Sequence, residues 1–308
     1  MPEALSVTAP ATSANLGPGF DVLAVALDLA NEVRVLRRPG PLAVRVVGEG
    51  AGDVPEDATN LVCVALADGL GSLDGLEVEC RNRIPFGRGL GSSAAAVCAG
   101  LVAANAIGGL RWSPADLLAR AAALEGHADN AAACLEGGIV AVTPGPRAQR
   151  IATPRDLAFV TVVPSVRVST DEARRALPER VPLADASDTL GCAVGLALAL
   201  AEGRLDDLPD LLHDRLHEPY RAPLVPGIEA VRGLVDGDGC LGVTISGSGP
   251  SILVWTRVDA AAAVAERARD ALRADGVQAE VTVARVAPAG VRARWTNVAP
   301  GRLERSIG

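Results

Sequence analysis

Apolar and polar positions alternate through the first part of the chain. The segments NEVRVLRR, LAVRVV and GLEVECRNRI follow the two-residue period of half-buried strands, and β-branched residues are frequent in them. The period then changes. From Ser92 to about Ile107 the residues are small and almost all apolar, a run too long for one strand, which predicts a buried helix. SPADLLARAAALEG predicts a second helix, with Ser113 as N-cap and Pro114 at the first helical position. A third helix starts near His127, and GGIVAVT predicts a buried strand entered through a glycine pair.

The segment TPGPRAQRIATPRD, residues 143–156, is polar, holds three prolines and separates two apolar strands. It is the expected boundary between domains 1–150 and 151–308. Beyond it come the strand LAFVTVVP and helices over about Asp185–Ala201, Leu205–His213 and Pro226–Val235. The strands CLGVTISG and SILVWTRV, an alanine-rich helix after Asp259 and the strand VQAEVTVARV follow. That order predicts an α+β protein, helices backing mostly antiparallel sheet. The tail after Ala287 shows no periodicity that assigns it a role.

Composition narrows the chemistry. The chain has 308 residues, 49% of them apolar but only 2% aromatic, so the core must be built from Ala, Val and Leu. There is no lysine; all 29 basic residues are arginine, which excludes a lysine Schiff base or a Walker-type lysine. A net charge of -8 argues against broad binding to nucleic acid or anionic membrane, though not against a local arginine cluster meeting a small anion. The apolar run from Ala94 to Ile107 is shorter than the roughly 20 residues of a membrane span. The first residues lack the pattern of a signal peptide. Six scattered cysteines without CxxC spacing are expected as buried thiols in a reducing cytoplasm. His213 and His217, four apart without a third ligand, are expected on a helix surface.

The candidate chemistry lies in PFGRGLGSSAAA. Glycines at 87, 89 and 91 allow successive N–H groups to converge on an anion, and Ser92 and Ser93 open a helix whose first turn offers further donors. The spacing fits neither the dinucleotide fingerprint nor the P-loop. From Pro85 to Ala94 the segment resembles the phosphate loop of the GHMP kinases, the superfamily of galactokinase, homoserine kinase, mevalonate kinase and phosphomevalonate kinase.

That resemblance implies a two-domain GHMP kinase fold, an N-terminal domain like domain 2 of ribosomal protein S5 and a ferredoxin-like C-terminal α/β sandwich, with the active site between them. It implies ATP held by Pro85, Gly87, Arg88, Gly89, Leu90, Gly91, Ser92, Ser93 and Ala94, with adenine near Asn60, Leu61 and Val62 of TNLV. It also implies Mg2+ on a loop serine, Ser93 or Ser92, and on Glu125 of LEGHADN. Ser246, Gly247, Ser248 and Gly249 of TISGSGPS match the third superfamily motif, which shapes the phosphate loop.

The stretch TSANLGPGFD resembles the homoserine kinases, and a tight Gly-Pro-Gly turn between strand and helix is expected there. L-Homoserine as acceptor implies an acid for its ammonium group and guanidinium groups for its carboxylate. Asn15, Asp21, Thr170, Arg174 and Arg221 match the substrate-contacting segments. Near the histidine motif, where mevalonate kinase-like relatives carry a basic aspartate, stands Asn130, an amide that accepts no proton. Asn130 and His127 would orient the hydroxyl, with Asp129 the rival base. Two departures, Ala128 in place of proline and a missing proline in NAAACLEGG, leave the polar positions intact. The expected activity is ATP-dependent phosphorylation of homoserine, in threonine biosynthesis. Other readings are a GHMP kinase acting on mevalonate, shikimate or pantoate, or a catalytically silent binding protein. No nucleic-acid or membrane partner is expected, and a homodimer is compatible with all of these.

Overall fold

Two long N-terminal strands set the frame of the molecule. The computed structural model describes residues 3–235 and 239–297. Strands β1 (Glu3–Ala14) and β2 (Leu23–Arg37) pair antiparallel, with a bulge after Pro10, which has no N–H for the ladder. Then come β3 (Ala43–Gly48), α1 (Leu61–Leu70), β4 (Leu76–Asn82), α2 (Ser92–Gly108), α3 (Pro114–Glu125) and α4 (Asp129–Glu136). The hairpin β5 (Ile139–Thr143) and β6 (Arg147–Ile151) completes this half.

The second half begins with β7 (Leu157–Pro164), α5 (Thr170–Arg175), α6 (Leu183–Glu202), α7 (Leu208–Leu211), α8 (Glu218–Arg221) and α9 (Ile228–Arg232). It ends with β8 (Cys240–Ile245), β9 (Ile252–Arg257), α10 (Ala261–Ala274), β10 (Ala279–Ala284) and β11 (Arg292–Asn297).

The first sheet runs β11-β1-β2-β4-β3, with β5 and β6 continuing from β2; the second runs β10-β7-β9-β8. Every pairing is antiparallel except β3 with β4. The α+β expectation therefore stands, with corrections at the seams. The polar segment 143–156 is not a free linker, because Arg147–Ile151 is a strand of the first sheet. The tail after Ala287 supplies β11, which pairs with β1 and returns the chain to that sheet. Two helices are shorter than their patterns suggest. Residues 205–213 form a 3-10 turn and the single turn of α7, and α9 spans five residues.

Helix α2 is apolar on most sides because its middle, Ala94–Ala104, is buried or nearly so all round. Gly100 lets α1 approach it closely: a Cβ there would stand 2.5 Å from the Val62 carbonyl oxygen. Helix α3 carries a complete capping box between Ser113 and Asp116, with Pro114 at its first position. One hydrophobic cluster passes from these helices through Phe159 and Trp255 of the second sheet to Leu196 and Leu200 of α6. A smaller one lies between the second sheet, α9 and α10.

The apolar run at 94–107 is not the longest helical one. By length and composition alone α6 could cross a membrane, with a mean hydropathy of 1.4. Its Leu196, Ala199 and Leu200 join the core, while Leu190, Val194 and Leu198 are exposed.

Candidate active site

Three glycines shape the loop before α2. Gly87, Gly89 and Gly91 have φ of 67°, 76° and 68°, a region that residues with a Cβ rarely occupy. Gly91 is the N-cap of α2 and gives it no side-chain cap, so the first N–H groups of that long helix face outward, where its dipole favours an anion. The loop is braced from behind. Ser246 Oγ donates to the Gly89 carbonyl at 2.7 Å, Ser251 N to that of Arg88 at 3.2 Å, and Thr12 N to that of Leu90 at 3.1 Å. The third motif and the phosphate loop are thus in direct contact. Arg88 turns its guanidinium away from the loop, onto the Pro164 carbonyl.

A cleft of about 220 Å³ opens on this loop. Phe86, Ser92 and Ser93 also line a second, mostly apolar cavity of about 130 Å³ beside α1, which includes Asn60, Leu61 and Val62. The phosphate loop therefore lies between an apolar hollow and a polar one. Asn60 is buried and caps α1, its Oδ1 accepting from Val62 N at 3.0 Å, so its side chain shapes the hollow through the helix start.

Ser93 Oγ donates to Glu125 Oε2 at 2.9 Å. Burial raises the Glu125 pKa above the ordinary glutamate value, against the pull of the Ser93 hydrogen bond and of His127. A carboxylate held in this way gains from a cation. Among the described residues no group of three His, Cys, Asp or Glu could hold a metal by itself. Two hard oxygen donors fit Mg2+, which completes its shell with phosphates and water.

The polar end of the cleft is built from remote segments. The turn between β1 and β2 leads from strand to strand, not from strand to helix as expected. Asn15, Leu16 and Asp21 all have positive φ there, at 72°, 50° and 55°. Such backbone is held by its surroundings. Asn15 Oδ1 accepts from Asp21 N at 3.0 Å, and Asn15 Nδ2 donates to the Gly247 carbonyl at 2.8 Å. Opposite, Arg174 of α5 forms a two-pronged ion pair with Asp21, at 3.1 and 3.2 Å. Arg221 of α8 is buried in the same wall, with burial pulling its pKa down, and Thr170 lines the opening. All five residues expected around the acceptor thus face one cleft.

At the start of α4, buried Asp129 accepts from Asn130 N at 2.7 Å and meets His127 Nδ1 at 3.0 Å, a bond that raises the imidazole's pKa. Asn130 Oδ1 accepts from Thr12 Oγ1 at 2.7 Å, which leaves the amide NH2 as the donor end of a residue that lines the cleft.

Residues 58–138 match the GHMP kinases N terminal domain and residues 196–274 the GHMP kinases C terminal model. The chain is 42% identical over 268 residues to the homoserine kinase of Streptomyces coelicolor, covering 84% of this chain and 86% of that one. It is 39% identical to that of Moorella thermoacetica, over 82% and 87% of the two chains. The crystal structure of homoserine kinase from Cytophaga hutchinsonii superposes with a TM-score of 0.86 at 33% identity, covering 94% of this chain and 97% of that one. This chain belongs to the homoserine kinase family of GHMP kinases.

Within this homoserine kinase family member, two buried residues that support the cleft are not marked in the sequence. Thr12 lies at the head of the recognised TSANLGPGFD segment, so its position was in view but not its partner 118 residues away. His217 is not on a helix surface. It is fully buried, with Nε2 at 2.8 Å from the Gly17 carbonyl, and Phe20 stacks on its ring.

Proposed function

We propose that the chain transfers the γ-phosphoryl group of ATP to the side-chain hydroxyl of L-homoserine, giving ADP and O-phospho-L-homoserine. The observation that carries this reading is one cleft in which a glycine loop at a helix N-terminus faces an acid and two guanidinium groups. Backbone amides and the α2 dipole neutralise the triphosphate without a lysine, and the hollow beside α1 takes the adenine. Ser93 and Glu125 hold Mg2+, which supplies charge neutralisation at the phosphates. Asp21 receives the ammonium group of the acceptor, Arg174 and Arg221 its carboxylate, and Asn15 and Thr170 border it. Homodimerisation and a cytoplasmic location belong to the same proposal. Sedimentation reads the first and cell fractionation the second.

Coupled ADP release against a panel of amino and hydroxy acids tests the acceptor. Homoserine should be preferred; faster turnover of mevalonate, shikimate or pantoate, which lack an ammonium group, would refute it. Arg221→Ala should raise the homoserine KM roughly 10- to 100-fold, the worth of a charged hydrogen bond, and leave the KM for ATP unchanged.

The transfer needs no strong protein base. Asn130 and His127 align the hydroxyl, and its proton passes to the γ-phosphate or to water in a loose transition state. Asp129 supports this reading because its carboxylate is already engaged with His127 and the Asn130 backbone. Asp129→Asn should therefore cost less in kcat than the ~100-fold expected for loss of a general base. Abolished turnover with both substrate affinities intact would make Asp129 the base.

A further inference from the structure

The acceptor wall depends on a residue that does not face the acceptor. His217 Nε2 lies 2.8 Å from the Gly17 carbonyl oxygen, which can only accept, so Nε2 carries the ring proton. Nδ1 keeps its lone pair and receives Arg221 Nη1 at 3.3 Å. Phe20 covers both groups, stacking on the imidazole at 5.1 Å and lying 5.3 Å from the Arg221 guanidinium carbon. The backbone N–H of His217 is tied to the Asp214 carboxylate at 2.8 Å.

Arg221 is correspondingly constrained. Its Nε donates to the Ala173 carbonyl at 3.4 Å, and Nη1 also reaches the Gly247 carbonyl at 3.2 Å. Nη2 is left without a hydrogen-bond partner among the described residues, on a side chain 2% exposed that lines the cleft. That nitrogen keeps access to the cleft, where an acceptor can meet it.

We infer that His217 is a positioning residue for the amino-acid acceptor. One edge of its neutral imidazole fixes the Gly17 turn, which carries Asn15 and Asp21, and the other fixes the guanidinium of Arg221. The ring thereby sets the separation between the acid that meets an ammonium group and the nitrogen that meets a carboxylate. Burial keeps the ring neutral, and the Arg221 charge acts in the same direction against Asp214 and Asp21. This inference rests on Arg221 as the carboxylate partner.

Steady-state kinetics of His217→Phe, His217→Gln, Arg221→Ala and the His217→Phe/Arg221→Ala pair test it, with melting temperatures measured alongside. Phenylalanine keeps an aromatic ring beside Phe20 but neither polar contact. The homoserine KM should rise at least about 10-fold while the ATP KM stays put. Glutamine offers an N–H and a carbonyl in place of the two ring nitrogens and should recover most of that loss. In the Arg221→Ala background, His217→Phe should raise the homoserine KM by less than it does alone, because the part that acts through the guanidinium is already gone and only the part through the Gly17 turn remains. If the phenylalanine enzyme does not fold, His217→Met makes the same comparison.

A wild-type homoserine KM in the apolar variant, or an equal rise in both KM values without rescue by glutamine, overturns the positioning role alone. An unchanged homoserine KM in Arg221→Ala overturns the carboxylate assignment, and this inference with it.

Discussion

Glu125→Gln should lower kcat by roughly 10²- to 10³-fold while the melting temperature holds. The substitution keeps the shape of the side chain and an acceptor for the Ser93 hydroxyl, but removes the charge that a divalent cation needs. A glutamine at this half-buried position also avoids the desolvation that raises the carboxyl pKa. Loss of activity without loss of stability therefore separates a cation ligand from a structural carboxylate. The same shift fixes the sign of a pH effect. Proton and cation compete for this carboxylate, whose metal-free pKa is raised by burial, so activity at limiting Mg2+ falls as pH drops, on an acid limb that moves to lower pH as Mg2+ is raised. That acid limb should vanish from the residual activity of Glu125→Gln. Near-normal kcat in the variant with ATP and Mg2+ would remove Glu125 from the metal site.

Gly89→Ala should be among the most damaging single methyl groups in the site. A Cβ there would stand 2.4 Å from the Ser246 carbonyl oxygen and 2.7 Å from that of Gly249, at φ 76°. Both neighbours are backbone, so neither swings away as a side chain would. Strain at positive φ together with the displaced motif should cost about 3 kcal/mol and lower Tm by about 5 °C or more. ATP affinity should fall with it, because the displaced motif braces the loop through Ser246 Oγ and Ser251 N. Gly52→Ala isolates the conformational part: its φ is 85°, but nothing lies within 4 Å of an added Cβ. That control should lose only about 1 kcal/mol. Equal melting temperatures for the two variants would show that contact between the loop and the third motif contributes little.

What the sequence discloses here is what acts locally. The loop glycines are readable because positive φ and a helix start are properties of a few consecutive residues. The Ser113 capping box is readable for the same reason. The α2 run shows itself because a helix buried on most sides needs apolar residues on most sides. Partners brought together by the fold leave no such mark. His217 finds its acceptor 200 residues away, and its four-residue spacing from His213 suggests a surface helix. β1 alternates over Leu5–Ala9, but Pro10 and burial on both faces from there to Ala14 hide the rest of it. β11 is masked by the opposite condition, since nearly all of it is exposed. The Arg174–Asp21 pair joins residues 153 positions apart, and no spacing rule connects them.

The return of β11 to β1 bears on how the chain matures on the ribosome. β1 is joined on one side by β2 almost at once, but its other neighbour is synthesised only after the whole second sheet. Until then the N-terminal sheet presents an open row of amides and carbonyls that another strand can capture. The order of synthesis thus leaves the N-terminal half unsealed while the other half is still emerging. A chain cut short after Ala287 keeps every residue assigned here to ATP and homoserine, yet carries that sticky edge permanently.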